Sequence, residues 1–125
     1  MNFTNQVSQI LFCLMILSSF VNTAFSFNVS EKKLLALKGS SNTQYQLGLY
    51  YQAGKNMDIV EAYYWMQMAA KQSHPSACRY MGRAHLYGKG TSSSLDLAKK
   101  WFLISSNQGN ANSMQDLGYC FELEG

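Results

Sequence analysis

Residues 41–74 read SNTQYQLGLYYQAGKNMDIVEAYYWMQMAAKQSH, and residues 75–110 read PSACRYMGRAHLYGKGTSSSLDLAKKWFLISSNQGN. Laid over each other, they are two copies of one frame. Leu47-Gly48 in the first matches Met81-Gly82 in the second, and Leu117-Gly118 opens a third. Three residues after each glycine stands an aromatic residue or a histidine: Tyr51, His85 and Phe121. Three further on comes Gly54 or Gly88, with Glu124 in the last copy. A second block, Ala62, Trp65, Ala69 and Ala70, matches Ala98, Trp101, Ser105 and Ser106. A small residue (Gly39, Ser73 or Gly109) precedes each pair ending in glycine by eight positions. The copies are offset by 34 and then by 36 residues, the difference lying in the loop before Ala62. A period of this length is the mark of stacked supersecondary units.

Each block has helical periodicity. Ile59, Ala62, Tyr63, Met66, Ala69 and Ala70 fall on one face, and Leu95, Ala98, Trp101, Phe102 and Ser105 repeat it. Capping boxes are predicted at Asp58 with Glu61, at Ser93 with Asp96 and at Asn28 with Glu31. Pro75 suits a first helical turn, where its missing N–H costs nothing. Gly54 and Gly88 suit helix C-termini. The expectation is an all-α chain with helices near 30–38, 41–53, 58–72, 75–87, 94–107 and 110–123, alternating as B and A helices of hairpins. Gly48, Gly82 and Gly118 then lie in mid-helix, where glycine costs ~1 kcal/mol relative to alanine. Three such glycines at one register position imply a close helix contact. Trp65, Trp101 and the small alanines are expected to form its other side.

These positions resemble the Sel-1-like repeat family, relatives of the tetratricopeptide repeats. The family pattern places A-x-x-x-L-G-x-x-Y-x-x-G-x-G on one helix and loop, then K-A-x-x-W-x-x-x-A-A-x-x-G on the next. The matching residues are Leu47, Gly48, Tyr51, Ala62, Trp65 and Ala69, then Met81, Gly82, Ala98 and Trp101, then Leu117 and Gly118. Departures are Thr43 and Ser113 for alanine, His85 for tyrosine, Asn56 for glycine, and Ser105-Ser106 for Ala-Ala. The resemblance implies an α/α solenoid, a superhelix of antiparallel helix hairpins. Its expected organisation is a half repeat at about 30–40, repeats at 41–74 and 75–110, and a terminal half repeat at 111–125.

Residues 1–26 contain no Asp, Glu, Lys or Arg, so all 17 charges fall in the remaining 99 residues. Their apolar run, from Ile10 to Leu17 and on to Val21, is about a dozen residues long. That suits the core of a signal peptide and falls short of the ~20 residues of a membrane span. Ala24 and Ser26 are spaced as a cleavage site, so 1–26 reads as a signal peptide and 27–125 as the repeat domain. The n-region has no Lys or Arg. The alternative is an uncleaved anchor, the one route to membrane attachment. The protein is expected to be exported: periplasmic or secreted in a bacterium, in the secretory pathway of a eukaryote.

The whole chain has 125 residues, a net charge of +3, 14% charged residues and one Pro. No Lys/Arg run exceeds two residues, so the basic stripe of a nucleic-acid binder is missing. Decoy motifs fail on their context. Gly88-Lys89-Gly90-Thr91 lacks the spacing of a phosphate loop. His74 and His85 share no metal-ligand spacing with Cys78 or Cys120, so neither metal nor cofactor is expected. Cys78 and Cys120 sit six register positions apart, too far for the ~7 Å that a disulfide allows between Cα atoms. Ser30-Glu31-Lys32-Lys33 matches S-x-x-K without its S-D-N and K-T-G companions. Catalysis is not expected. The alternative reading is a β-lactam-interacting or hydrolytic secreted protein, since such activity has been proposed for cysteine-rich Sel-1-like relatives.

By resemblance to tetratricopeptide repeats, the A helices line a concave face. The positions on it are Asn42, Tyr45, Leu49 and Gln52, then Ser76, Arg79, Arg83 and Leu86, then Asn112, Gln115, Tyr119 and Glu122. Arg79 and Arg83 are the chain's two arginines, one helical turn apart. Such a pair fits a carboxylate or an acidic peptide; the alternatives are a solvated face or a pairing with Glu122 or Asp116. The implied function is a scaffold binding a protein or peptide through this face. The last A helix has no B partner, and an open apolar end favours self-association or docking.

Overall fold

The computed structural model describes residues 3–125, with side chains described for 3–17 and 29–125. Six α-helices follow one another: α1 (Phe3–Leu37), α2 (Ser41–Gln52), α3 (Ile59–Lys71), α4 (Pro75–Tyr87), α5 (Leu95–Asn107) and α6 (Ala111–Glu124). A 3-10 turn, Gly54–Asn56, lies between α2 and α3. There is no strand among the described residues. The chain divides after Leu34 into an N-terminal helical unit and the compact unit Leu35–Gly125. In the compact unit α2 packs on α3, α3 on α4, α4 on α5 and α5 on α6. This is an all-α solenoid of antiparallel hairpins.

In the N-terminal unit, described large apolar side chains such as Ile10, Phe12 and Met15 are exposed. No helix of the described residues is long and apolar enough to cross a membrane. The cleavage site expected at Ala24 and Ser26 lies outside the residues whose side chains are described. One expected boundary is absent. A helix start near Ser30 was predicted from Asn28 and Glu31, whereas α1 runs unbroken from Phe3 to Leu37. The reason is local: no Gly or Pro stands anywhere before Gly39 to stop it.

The other boundaries follow the sequence within two residues, and the caps show why. Asp58 accepts hydrogen bonds from the backbone N–H groups of Val60 and Glu61 at 3.0 and 3.1 Å. Glu61 does not complete the predicted box. Its carboxylate accepts from the indole N–H of Trp65 at 2.9 Å, a better-buried partner one turn on. The cap of α5 is Ser94 rather than Ser93, its hydroxyl accepting from Leu97 N–H at 3.3 Å. Gly88 ends α4 in the left-handed region, at φ 65°. Gly54 (φ 79°) instead opens the 3-10 turn, because α2 already stops at an extended Ala53. Asp58 N–H then closes that turn on the carbonyl of Tyr51 at 2.8 Å.

The small residues eight positions before each glycine pair also have a physical reason. Gly39, Ser73 and Gly109 all have positive φ, at 100°, 59° and 89°, where the chain reverses from a B helix into the next A helix. Among the described residues, Ser73 is the one non-glycine residue with positive φ.

The core is segmental. Ala36, Leu47 and Trp65 form one cluster, Met66 to Met81 contribute a second, and Ala98, Phe102 and Cys120 a third. Cys78 and Cys120 are both buried free thiols in different clusters. The tryptophans do not sit against the mid-helix glycines. A Cβ on Gly48 would lie 2.7 Å from Met66 Cγ, and one on Gly82 would lie 2.5 Å from the ring of Phe102. The knob is thus the residue after each Trp, which a helical rotation of 100° turns toward the paired A helix. A Cβ on Gly118 would meet nothing within 4 Å.

Two departures from the repeat pattern prove to be coupled. Ser113 donates to the hydroxyl of Ser105 at 2.7 Å, and Ser105 donates to the carbonyl of Pro75 at 2.7 Å. Both serines are fully buried, so each satisfies a polar atom that would otherwise be stranded.

Candidate functional site

A groove of about 520 Å³ opens along α2 and α4. Tyr45, Leu49 and Gln52 of α2 face Ser76, Arg79 and Arg83 of α4 across it. One wall is apolar, with Met57 and Ile59 from the approach to α3, and Met66 beneath. Tyr80, Tyr87 and Lys89 extend the other wall, and Asn110 and Asn112 close the end nearest α6. Three cations line this groove and no carboxylate does. A larger concavity of about 770 Å³ is bounded by α1 residues Phe3 to Met15. It is the surface of one exposed helix and holds no converging side chains from a second element.

The two arginines have different environments. Arg79 Nε donates to Asp116 Oδ2 of α6 at 2.6 Å, and the pair is partly buried. This is one of the two alternatives weighed for it, and it ties α6 to α4. Arg83 is exposed and has no carboxylate partner among the described residues. Lys89 lies 5.9 Å over the ring of Tyr87, which holds its charge at the groove's edge. The positive character of the site therefore resides in Arg83 and Lys89.

The remaining expected positions divide. Asn42 turns away to His74, its side-chain oxygen 3.0 Å from Nε2. Leu86 packs into the Ala98–Phe102–Cys120 cluster. Gln115, Tyr119 and Glu122 lie exposed on α6, outside the groove. The face is thus built chiefly by the first two A helices, with Asn112 the one expected position of α6 that reaches it. Met57, Ile59, Tyr80, Tyr87 and Lys89 were not anticipated. Tyr80 follows Arg79 on the same helix and carried a readable aromatic signal. Met57 and Lys89 come from loops whose path no periodicity records.

The histidines serve the scaffold. His74 caps α4 by accepting from Ala77 N–H at 3.3 Å through Nδ1, and its ring stacks on Tyr45 at 4.5 Å. Burial holds its pKa below the ordinary 6.5, with a backbone hydrogen bond acting in the opposite direction. His85 takes the aromatic position of its repeat, edge-on to Tyr63, buried, with Nδ1 unpartnered. Burial pushes the Cys78 thiol up to about 11, a lesser backbone hydrogen bond lowering it, so it stays protonated and inert at neutral pH. Among the described residues no three His, Cys, Asp or Glu side chains converge as metal ligands. Ser30 lies inside α1, not at a helix start as expected.

Known proteins place this geometry. Residues 41–74 and 75–110 each match the Sel1 repeat. A solved protective antigen of uropathogenic Escherichia coli displaying an SLR fold is 33% identical, with a TM-score of 0.70. The match covers 74% of this chain and 20% of that one, so the chain spans about a fifth of the antigen's length. A Sel1 repeat protein from Oxalobacter formigenes is 29% identical, with a TM-score of 0.69, over 72% of this chain and 69% of that one. No curated protein matches. Two consecutive repeat matches, covering 70 of the 125 residues, and the shared solenoid fold make this chain a member of the Sel1 repeat family.

Proposed function

We propose that the protein is an exported scaffold that binds an acidic segment of a partner protein or peptide in the groove between α2 and α4. The observation that carries this reading is the charge of the lining: Arg79, Arg83 and Lys89 against no carboxylate. Arg83 contributes most, because Arg79 is already neutralised by Asp116. An Asp or Glu of the partner meets the Arg83 guanidinium in a forked hydrogen bond. An apolar side chain beside it rests on Leu49, Met57 and Ile59. The uncharged first 26 residues support export before this binding takes place.

Selection from a random peptide display library tests the reading. Enriched sequences are expected to be rich in Asp and Glu, and Arg83→Ala should weaken them about tenfold. Arg79→Ala should act partly through the loss of the α4–α6 tie, visible as a lower Tm. Enrichment of neutral or basic sequences, or affinity unmoved by Arg83→Ala, refutes the acidic-partner reading. Export is checked separately by reading the N-terminus of the secreted chain.

A further inference from the structure

The groove between α2 and α4 has a length and a section that select the shape of its occupant. Its α4 wall runs from Ser76 to Tyr87 along one helix face, ~16 Å at 1.5 Å per residue. Spread over that length, about 520 Å³ leaves a channel only ~6 Å across, whereas a helix with its side chains needs ~10–12 Å. An extended chain fits. It brings main-chain N–H and C=O groups that a helix would already have paired. The lining holds groups to meet them. Gln52, Asn110 and Asn112 carry side-chain amides and Ser76 a hydroxyl, and none of the four makes a side-chain hydrogen bond among the described residues. Amides off the groove behave otherwise. Asn42 meets His74, Gln44 donates to the carbonyl of Ala36 at 2.9 Å, and Gln72 donates to Gln44 at 2.8 Å.

The free cations fix a spacing. Arg83 and Tyr87 stand one turn apart on the same face of α4, ~6 Å along its axis. Lys89 is held beside Tyr87. Its backbone N–H donates to the carbonyl of Ala84 at 2.9 Å, and its ammonium lies 5.9 Å from the centre of the Tyr87 ring. Neither Arg83 nor Lys89 has a carboxylate partner among the described residues, whereas Arg79 is taken by Asp116. In an extended chain, side chains on one side recur every second residue, ~6.6 Å apart. Acids at i and i+2 therefore reach Arg83 and Lys89 together. The residue between them points the other way, toward the apolar wall of Leu49, Met57 and Ile59.

We propose that the groove selects an extended partner segment of the form acid–apolar–acid, with Arg83 and Lys89 taking the two carboxylates and the apolar wall taking the side chain between them. The free amides hydrogen-bond its main chain. This selectivity rests on the acidic-partner reading of the groove and narrows it to one order and one spacing.

Fluorescence polarisation with the purified protein and labelled ten-residue peptides provides the test. The peptides share a Ser/Thr background with one Leu, and carry no Asp, one Asp, or two Asp at i and i+1, i+2, i+3 or i+4. The i, i+2 peptide with Leu between its acids should bind about tenfold tighter than any other spacing. Replacing that Leu by Ser should weaken it. Lys89→Gln should reduce the i, i+2 peptide to the affinity of the single-Asp peptide, and should leave the single-Asp peptide, held by Arg83, within about twofold. Arg83→Gln should weaken both. Equal affinity at every spacing overturns the proposal while the acidic-partner reading stands. So does a best fit at any other spacing, above all at i, i+4, where acids align on a helix, or an equal loss from Lys89→Gln for both peptides. No gain from any Asp over the neutral peptide overturns both.

Discussion

Gly82 and Gly118 occupy the same register position, follow the same type of residue and lie in helices of nearly equal length. One is pressed by the Phe102 ring and the other faces open space. A glycine that costs helix propensity is repaid only where a second helix uses the missing Cβ. In α4 the repayment is visible; in α6 no described residue supplies it. The same contrast appears at Phe102, fully buried, and Phe121, more than half exposed with Lys99 5.6 Å from its ring centre.

The largest effect should separate the two phenylalanines. Phe102→Ala empties the third core cluster and should cost about 3–5 kcal/mol. Phe121→Ala should change stability by less than about 0.5 kcal/mol in the monomer. Chemical denaturation of both variants measures the gap, and a large loss at Phe121 would show that α6 is already covered. The glycines should come next. Gly82→Ala drives a methyl into a fixed aromatic ring and should destabilise by about 1–3 kcal/mol. Gly118→Ala should stabilise by about 1 kcal/mol, since only helix propensity changes. Equal signs for the two would break the comparison.

The smallest effect concerns the caps that begin the A helices. His74 caps α4 through an imidazole nitrogen, while Asn110 at the start of α6 makes no side-chain cap bond. Burial lowers the folded pKa of His74, so the unfolded chain binds the proton more readily. The associated stability is present above the ordinary 6.5 and is lost as pH falls through the lowered folded value. Tm should therefore drop between pH 7.5 and 5.5, and His74→Asn should flatten that slope while keeping a cap. A slope unchanged in the variant would assign the pH dependence elsewhere.

Much of this contrast was legible before any helix was placed. The repeat register put Gly48, Gly82 and Gly118 in equivalent positions, and the turn residues Gly39, Ser73 and Gly109 marked where each A helix begins. The glycine contacts depart from that reading. Trp65 and Trp101 were the salient residues, yet Met66 and Phe102 touch Gly48 and Gly82. Trp65 instead packs with Ala36 and Leu47, and Trp101 against the central cluster. Spacing identifies which residues share a face and leaves open which neighbouring helix that face meets. The groove shows the same limit. Tyr45, Leu49, Gln52, Ser76, Arg79 and Arg83 were placed from register, whereas Tyr80 and Tyr87 were not, Met57 and Lys89 arrived through loops, and Leu86 was drawn into the core.

Helix positions, repeat length, turn sites and the class of fold follow from the primary structure, because each depends on contacts within a few residues and repeats three times. The split between Arg79 and Arg83 does not. They have identical chemistry one turn apart, and their roles diverge because α6 brings Asp116 within 2.6 Å of one and leaves the other exposed. The coupling of Ser105 to Ser113 and the emptiness around Gly118 arise in the same way. Each depends on the distance between side chains far apart in the chain, and that distance exists only once the helices have packed.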